Sequence, residues 1–212
     1  QHNNTMMGNE SVQEQEKRPI RQRLKYGVIA VANGTGVKNL FSERGADVIV
    51  DGGQSMNPSA EAFIEAFDAV NADTVFVLPN NGNSILAAKQ AAKLYDKSDV
   101  RVIESRTIGD GYAALSMLDT GSGDTDAIVS ELTNAMQGVV TAEISRCVRD
   151  VDSYGTEMHT GDYIGFVGKE LLAVNADRFR TLCDTIEKLN PLQYDICILI
   201  CGKDASDEEA RA

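Results

Sequence analysis

The chain has 212 residues, 42% of them hydrophobic, enough to bury a core without disulfides or a structural metal. Twenty basic residues against 32 acidic ones give a net charge of −12, and the first 25 residues hold five basic and three acidic groups, so the excess of acid lies in the body. A body of that sign repels phosphate backbones and anionic lipid, which argues against nucleic acid and a membrane surface as partners.

Residues 1–25 open on QHNNTMMGNESVQEQEK, polar and without an aromatic residue, and are expected to be a linker from a preceding domain. From residue 26, short β-rich runs alternate with helical stretches. YGVIAVA (26–32) predicts a strand, GTGVKNLFSERG (34–45) a helix closed by Gly45, and ADVIVDG (46–52) a second strand. Pro58 at a first helical position, behind Asn57 as cap, opens AEAFIEAFDAV, whose Phe63, Phe67 and Val70 share one side. DTVFVLP (73–79) predicts a third strand, NSILAAKQAAKLY (83–95) a helix packing Leu86 and an alanine face on a sheet, VRVIES (100–105) a fourth strand and TIGDGYAALSML (107–118) a helix. This alternation predicts an α/β lobe over 26–118, a mostly parallel sheet covered by helices on both faces in three layers.

DTGSGDTD (119–126) interrupts the rhythm and is the expected boundary. Residues 119–212 predict an α+β lobe with a mixed or antiparallel sheet: a helix at 125–137, a β-rich stretch at 138–151, a polar excursion at 152–162, and YIGFVGKELLAV (163–174) folded at Gly-Lys-Glu. NADRFRTLCDTIEKL follows as an amphipathic helix capped by Asn175, with Phe179, Leu182, Cys183, Ile186 and Leu189 on its apolar side. YDICILIC (194–201) reads as a strand whose parity puts Cys197 and Cys201 beside Leu199, as buried packing residues. Ser206 and Glu209 form a capping box for a helix that has barely begun, so at least one further strand is expected to complete this lobe.

No apolar run reaches the ~20 residues that span a bilayer, and the start has no signal-peptide stretch. The four cysteines (Cys147, Cys183, Cys197, Cys201) include no CxxC pair, so a reducing cytoplasm is the expected compartment.

In a parallel sheet the carboxyl ends of the strands gather on one edge, where ligands usually bind. Three junctions rich in glycine, amides and hydroxyls fall there: Asn33-Gly34-Thr35-Gly36, Gly52-Gly53-Gln54-Ser55-Met56-Asn57 and Asn80-Asn81-Gly82-Asn83. Any one of them alone is an ordinary turn and cap. Together they make Asn33, Thr35, Gly52, Gly53, Gln54, Ser55, Asn57, Asn80, Asn81 and Asn83 candidates for recognising a partner or an anion through neutral groups and helix amino-termini. They provide no nucleophile and no general base, so no catalytic residue is assigned, and no metal: the spacing of Asp51, Asp110 and Asp119 fixes no ligand set. His159, in a polar loop, reads as a surface residue. A secondary partner surface is Arg146, Arg149 and Asp150, where strand parity puts Arg146 and Asp150 on one face as an exposed ion pair.

The blocks GVIAVANGTGVKNLF, DVIVDGGQSMNPS, VFVLPNNGNSILAAKQAA and SRCVRDV with GDYIGF resemble the carboxy-terminal region of the large subunit of bacterial fatty acid kinase, a family labelled by its dihydroxyacetone-kinase L-type domain. The resemblance implies a first lobe folded like the family's fatty-acid carrier, a place behind amino-terminal kinase and middle domains, and a role in binding the loaded carrier, whose acyl carboxylate is phosphorylated. It also implies that ATP and Mg belong to the amino-terminal domain, with no cofactor here and no activity of this region by itself. The residues leave open direct binding of a lipid carboxylate or phosphate, a purely structural lobe, and a homodimer.

Overall fold

The computed structural model describes residues 22–202, apart from positions 54, 122 and 154. Gln54, the capping box of Ser206 and Glu209, and most of the expected linker lie outside them.

Four strands, β1 (Leu24–Ala32), β2 (Val48–Asp51), β3 (Ala72–Leu78) and β4 (Asp99–Val102), form one sheet in the order β2-β1-β3-β4. Every pairing is parallel, with Ile29 opposite both Val48 and Val77. The helices are α1 (Thr35–Glu43), α2 (Ala60–Val70), α3 (Gly82–Leu94), α4 (Ile108–Ser116) and α5 (Thr125–Ala135). Successive strand residues point to opposite faces, so the apolar run of β1 feeds two cores. Val28, Ala30 and Ala32 pack with Phe41 of α1, Ala114 and Leu115 of α4, and Ile128 and Leu132 of α5. Ile29 and Val31 pack with Phe63, Phe67 and Val70 of α2 and Ala88 and Ala91 of α3. The three-layer α/β architecture is therefore as expected, and α5 packs on the first sheet.

Two local expectations change. Ser59, not Asn57, caps α2, accepting from Ala62 N at 3.3 Å, and Pro58 stands two residues ahead of the helix. The reason is Met56, whose φ of 48° turns the chain so that Asn57 N bonds to Gly52 O and the helix starts later. Ser59→Ala should cost about 1 kcal/mol in denaturant unfolding and Asn57→Ala less than half of that. Leu86 of α3 is 66% exposed; the sheet takes Ile85, Ala88 and Ala91 instead, because small residues let the helix approach closely.

The rest is antiparallel. β5 (Ala142–Arg146), β8 (Tyr163–Val167) and β9 (Glu170–Asn175) form a sheet in the order β5-β8-β9, and β6 (Val151–Ser153) with β7 (Thr156–Met158) forms a hairpin inside the polar excursion. α6 (Arg178–Lys188) covers the sheet and is capped by Asp177, which accepts from Arg180 N at 2.7 Å; Asn175 ends β9 instead. Its most buried residues are Thr181 and Thr185, while Phe179 is 52% exposed. Thr185 sits against Gly165, a close approach that a bulky apolar side chain would prevent.

Residues 194–201 form no strand: nothing described pairs with them, and Ile196, Ile198, Leu199, Ile200, Cys197 and Cys201 are exposed. The two cysteines are thus not packing residues here, because strand parity buries a side chain only when a neighbouring strand and a covering layer are present.

Candidate functional site

At the carboxyl edge of the parallel sheet, neighbouring strands β1 and β3 send their following helices to opposite faces, α1 to one core and α3 to the other. The chain diverges there, which makes the strand ends a topological switch point. Residues 33–36 and 80–83 flank it, with the 52–57 loop beside them at the end of β2.

Hydrogen bonds tie the three junctions together. Gly52 N donates to Ala32 O at 3.1 Å, linking the ends of β2 and β1. Ser84 Oγ in α3 donates to Met56 O at 2.6 Å, linking the third junction to the second. Asn80 joins three strands: its Nδ2 donates to Val31 O at 2.9 Å, its Oδ1 accepts from Ser105 Oγ at 2.9 Å, and its own amide donates to that hydroxyl at 2.9 Å. Asn80 is only 2% exposed and has a φ of 55°, a left-handed conformation that asparagine tolerates better than most residues. It therefore organises the edge from beneath and adds nothing to its surface.

The surface itself is exposed at Asn33, Thr35, Gly53, Ser55, Asn57 and Asn83, and Gly52 is buried against Met56. Asn81 is half-buried and caps α3, accepting from Asn83 N at 2.8 Å. At the start of α1, Gly34 supplies no side-chain cap. Lys38 and Asp51 pair across the first two junctions at 2.6 Å, and Asp51 also accepts from Gly53 N at 2.9 Å. The hydrogen bond from Lys38, with that from Gly53, holds the Asp51 carboxyl below the usual carboxylate range. At the end of β4, Glu104 pairs with Lys89 and, at 3.7 Å, with Arg106; the Lys89 hydrogen bond leads in keeping it ionised. The edge presents amides, hydroxyls and paired charges, which suit recognition of a polar surface.

Ser84, Ser105 and Lys38 escaped the sequence reading. Only Ser105 left a signal there, since it follows β4 as the other polar residues follow their strands.

Asp110 belongs to the capping box of α4 with Thr107, and Asp119 accepts from Gly121 N at 2.8 Å. Among the described residues no group of three His, Cys, Asp or Glu lies close enough to hold a metal ion. His159 is exposed, and its amide donates to Asp162 Oδ2 at 2.8 Å.

The expected ion pair of Arg146 with Asp150 is not formed. β5 ends at Arg146, so parity does not carry on to Asp150, whose Oδ1 instead accepts from Thr160 N and Thr160 Oγ1, each at 2.7 Å. The Thr160 amide leads in lowering the pKa of Asp150. Arg149 is exposed beside Val148, which is 86% exposed.

No described helix is long and apolar enough to cross a membrane. The chain is similar to Protein YloV of Bacillus subtilis, 33% identical over 210 residues that make up 99% of this chain and 37% of that protein. It is also similar to Uncharacterized protein SH1689 of Staphylococcus haemolyticus (31% identical, covering 87% of this chain and 33% of the relative) and to Uncharacterized protein SSP1546 of Staphylococcus saprophyticus (29%, 87% and 33%). It spans about a third of the length of these relatives. Residues 27–212 match the FakA-like C-terminal family of fatty acid kinase, and the chain belongs to that family.

Proposed function

We propose that this chain is the non-catalytic carboxy-terminal module of a fatty acid kinase, docking the fatty-acid-loaded carrier so that an ATP-binding domain of the same polypeptide can phosphorylate the acyl carboxylate. The family match supports the setting, and the three junctions tied into one polar edge support the docking role. A fixed array of neutral donors and acceptors fits a protein surface, since little ordering is needed on binding. In this reading ATP and Mg act in the kinase domain. We further propose that the boundary between the lobes, expected at 119–126, falls after α5, a reading supported by Ile128 and Leu132, which pack in the first core.

Titration of the chain with loaded carrier, in parallel with free fatty acid, tests the reading. Asn33 and Ser55 are suitable probes, being exposed, with side chains that bond to no other described residue. Asn33→Ala with Ser55→Ala should weaken carrier binding about tenfold, or ~1.4 kcal/mol, and leave unfolding nearly unchanged. Undiminished binding by the double variant would remove the edge from the interface. Saturable binding of free fatty acid without carrier would favour a small-ligand domain.

A further inference from the structure

We infer that Asn33 is a site of spontaneous covalent modification, at which the side-chain amide is lost to the backbone nitrogen of Gly34 and aspartate or isoaspartate is left at the end of β1. Such a reaction favours an asparagine followed by glycine, because a Cβ on the next residue would crowd the attacking nitrogen. The sequence contains two such pairs, Asn33-Gly34 and Asn81-Gly82, and the fold treats them oppositely.

Asn33 follows the last residue of β1 and is exposed, as are Gly34, Thr35 and Gly36. Among the described residues no hydrogen bond holds the Asn33 side chain or Gly34 N. Gly34 precedes the helical residues of α1, with φ 78° and ψ 144°, and the space where its Cβ would lie is open. Both reacting groups are thus in water and unpartnered. Asn81 is the opposite case. It is half-buried, its Oδ1 accepts from Asn83 N at 2.8 Å, its carbonyl accepts from Ser84 N at 3.0 Å, and Gly82 is the first residue of a 13-residue helix. To react, Asn81 must give up a cap and open the first turn of α3, whereas Asn33 breaks no described bond.

Water is the only other reactant. Gly34 N passes its proton to solvent base and attacks Asn33 Cγ; a C–N bond forms, the Cγ–Nδ2 bond breaks, and that nitrogen leaves as ammonia. Water then adds to either carbonyl of the cyclic imide, and ring opening gives aspartate or isoaspartate without any oxidation or reduction. Each event exchanges an amide for a carboxylate and so adds a negative charge to the polar edge. The new charge stands at the amino-terminus of α1, whose first turn holds no acidic residue and whose cap makes no side-chain hydrogen bond. The reaction involves only Asn33, Gly34 and water, so it stands apart from the docking role proposed above.

The test is incubation of the 212-residue chain in mildly alkaline heavy-oxygen water, folded and in urea, followed by peptide mapping with fragmentation that separates aspartate from isoaspartate. In the folded chain, position 33 should gain one heavy oxygen per event, yield both products, and convert at least about tenfold faster than position 81. The rate should rise with pH, because the attacking nitrogen must lose its proton. In urea the two rates should converge, since α3 no longer holds Asn81. Asn33→Gln, whose longer side chain closes the ring poorly, should lose the main acidic species seen on isoelectric focusing. Asn33 left intact in the folded chain while the unfolded chain reacts, equal conversion at Asn81 in the folded chain, or the same gap in urea would each overturn the inference.

Discussion

Asn80→Ala should lower stability by about 3 kcal/mol, a large effect for one polar residue. The side chain is 2% exposed and joins Val31 O to Ser105 Oγ. Truncation leaves a carbonyl and a hydroxyl without these partners in a site largely closed to water, at about 1–3 kcal/mol for each unsatisfied group, less any relaxation. It also puts a Cβ-bearing residue with no local side-chain hydrogen bond at a φ of 55°, which adds about 1 kcal/mol. Asn80→Gly removes the backbone contribution and should cost about 1 kcal/mol less. Urea unfolding of Asn80→Ala, Ser105→Ala and the double variant should show non-additivity, because both substitutions break the bond from Ser105 Oγ to Asn80 Oδ1. A loss below ~1 kcal/mol for Asn80→Ala would mean that the edge is held by its loops alone. The clasp also explains Gly111 of α4, where a Cβ would overlap Asn80 Oδ1.

Gly165→Ala should have a comparable effect in the antiparallel unit, about 2–3 kcal/mol. A Cβ at Gly165 would overlap Thr185 Oγ1 and come within 3.1 Å of Ile144 Cδ1. Thr185 cannot easily move: it is 1% exposed, and its hydroxyl donates to Thr181 O at 2.7 Å. α6 must therefore lift from β8, which is the usual cost of overpacking. Thr185→Ala in the Gly165→Ala background should recover more than 1 kcal/mol, as a double-mutant cycle would show. Additive losses would place the contact elsewhere.

The sheet was legible because its strands are buried on both faces: runs such as VIAVA and TVFVL have no other stable placement, and their spacing left room only for crossover helices. The polar edge was legible for a related reason, since polar residues at the ends of such runs must emerge where the strands stop. The division of labour within it was not. Asn80 and Asn81 are adjacent and chemically identical, yet one lies beneath the edge and the other caps a helix. The difference depends on Ser105, 25 residues away, and on a left-handed backbone that local sequence does not fix. The misplaced cap of α2 has the same origin, because Asn57 and Ser59 are both good caps and the turn at Met56 decides between them. In α6 the periodicity of large apolar residues pointed to Phe179, but the requirement for contact with Gly165 favours threonine.

The exposed ribbon at 196–201 has a further consequence, for solubility. Six consecutive β-prone residues without charge or proline make a segment able to pair with a copy of itself, and here no described strand occupies its hydrogen-bonding groups. The sequence brackets it with Asp195 on one side and Lys203 and Asp204 on the other, charges that stacked in register would repel their own kind. Neutralising those flanking charges should therefore favour self-association of the chain while leaving its sheets intact.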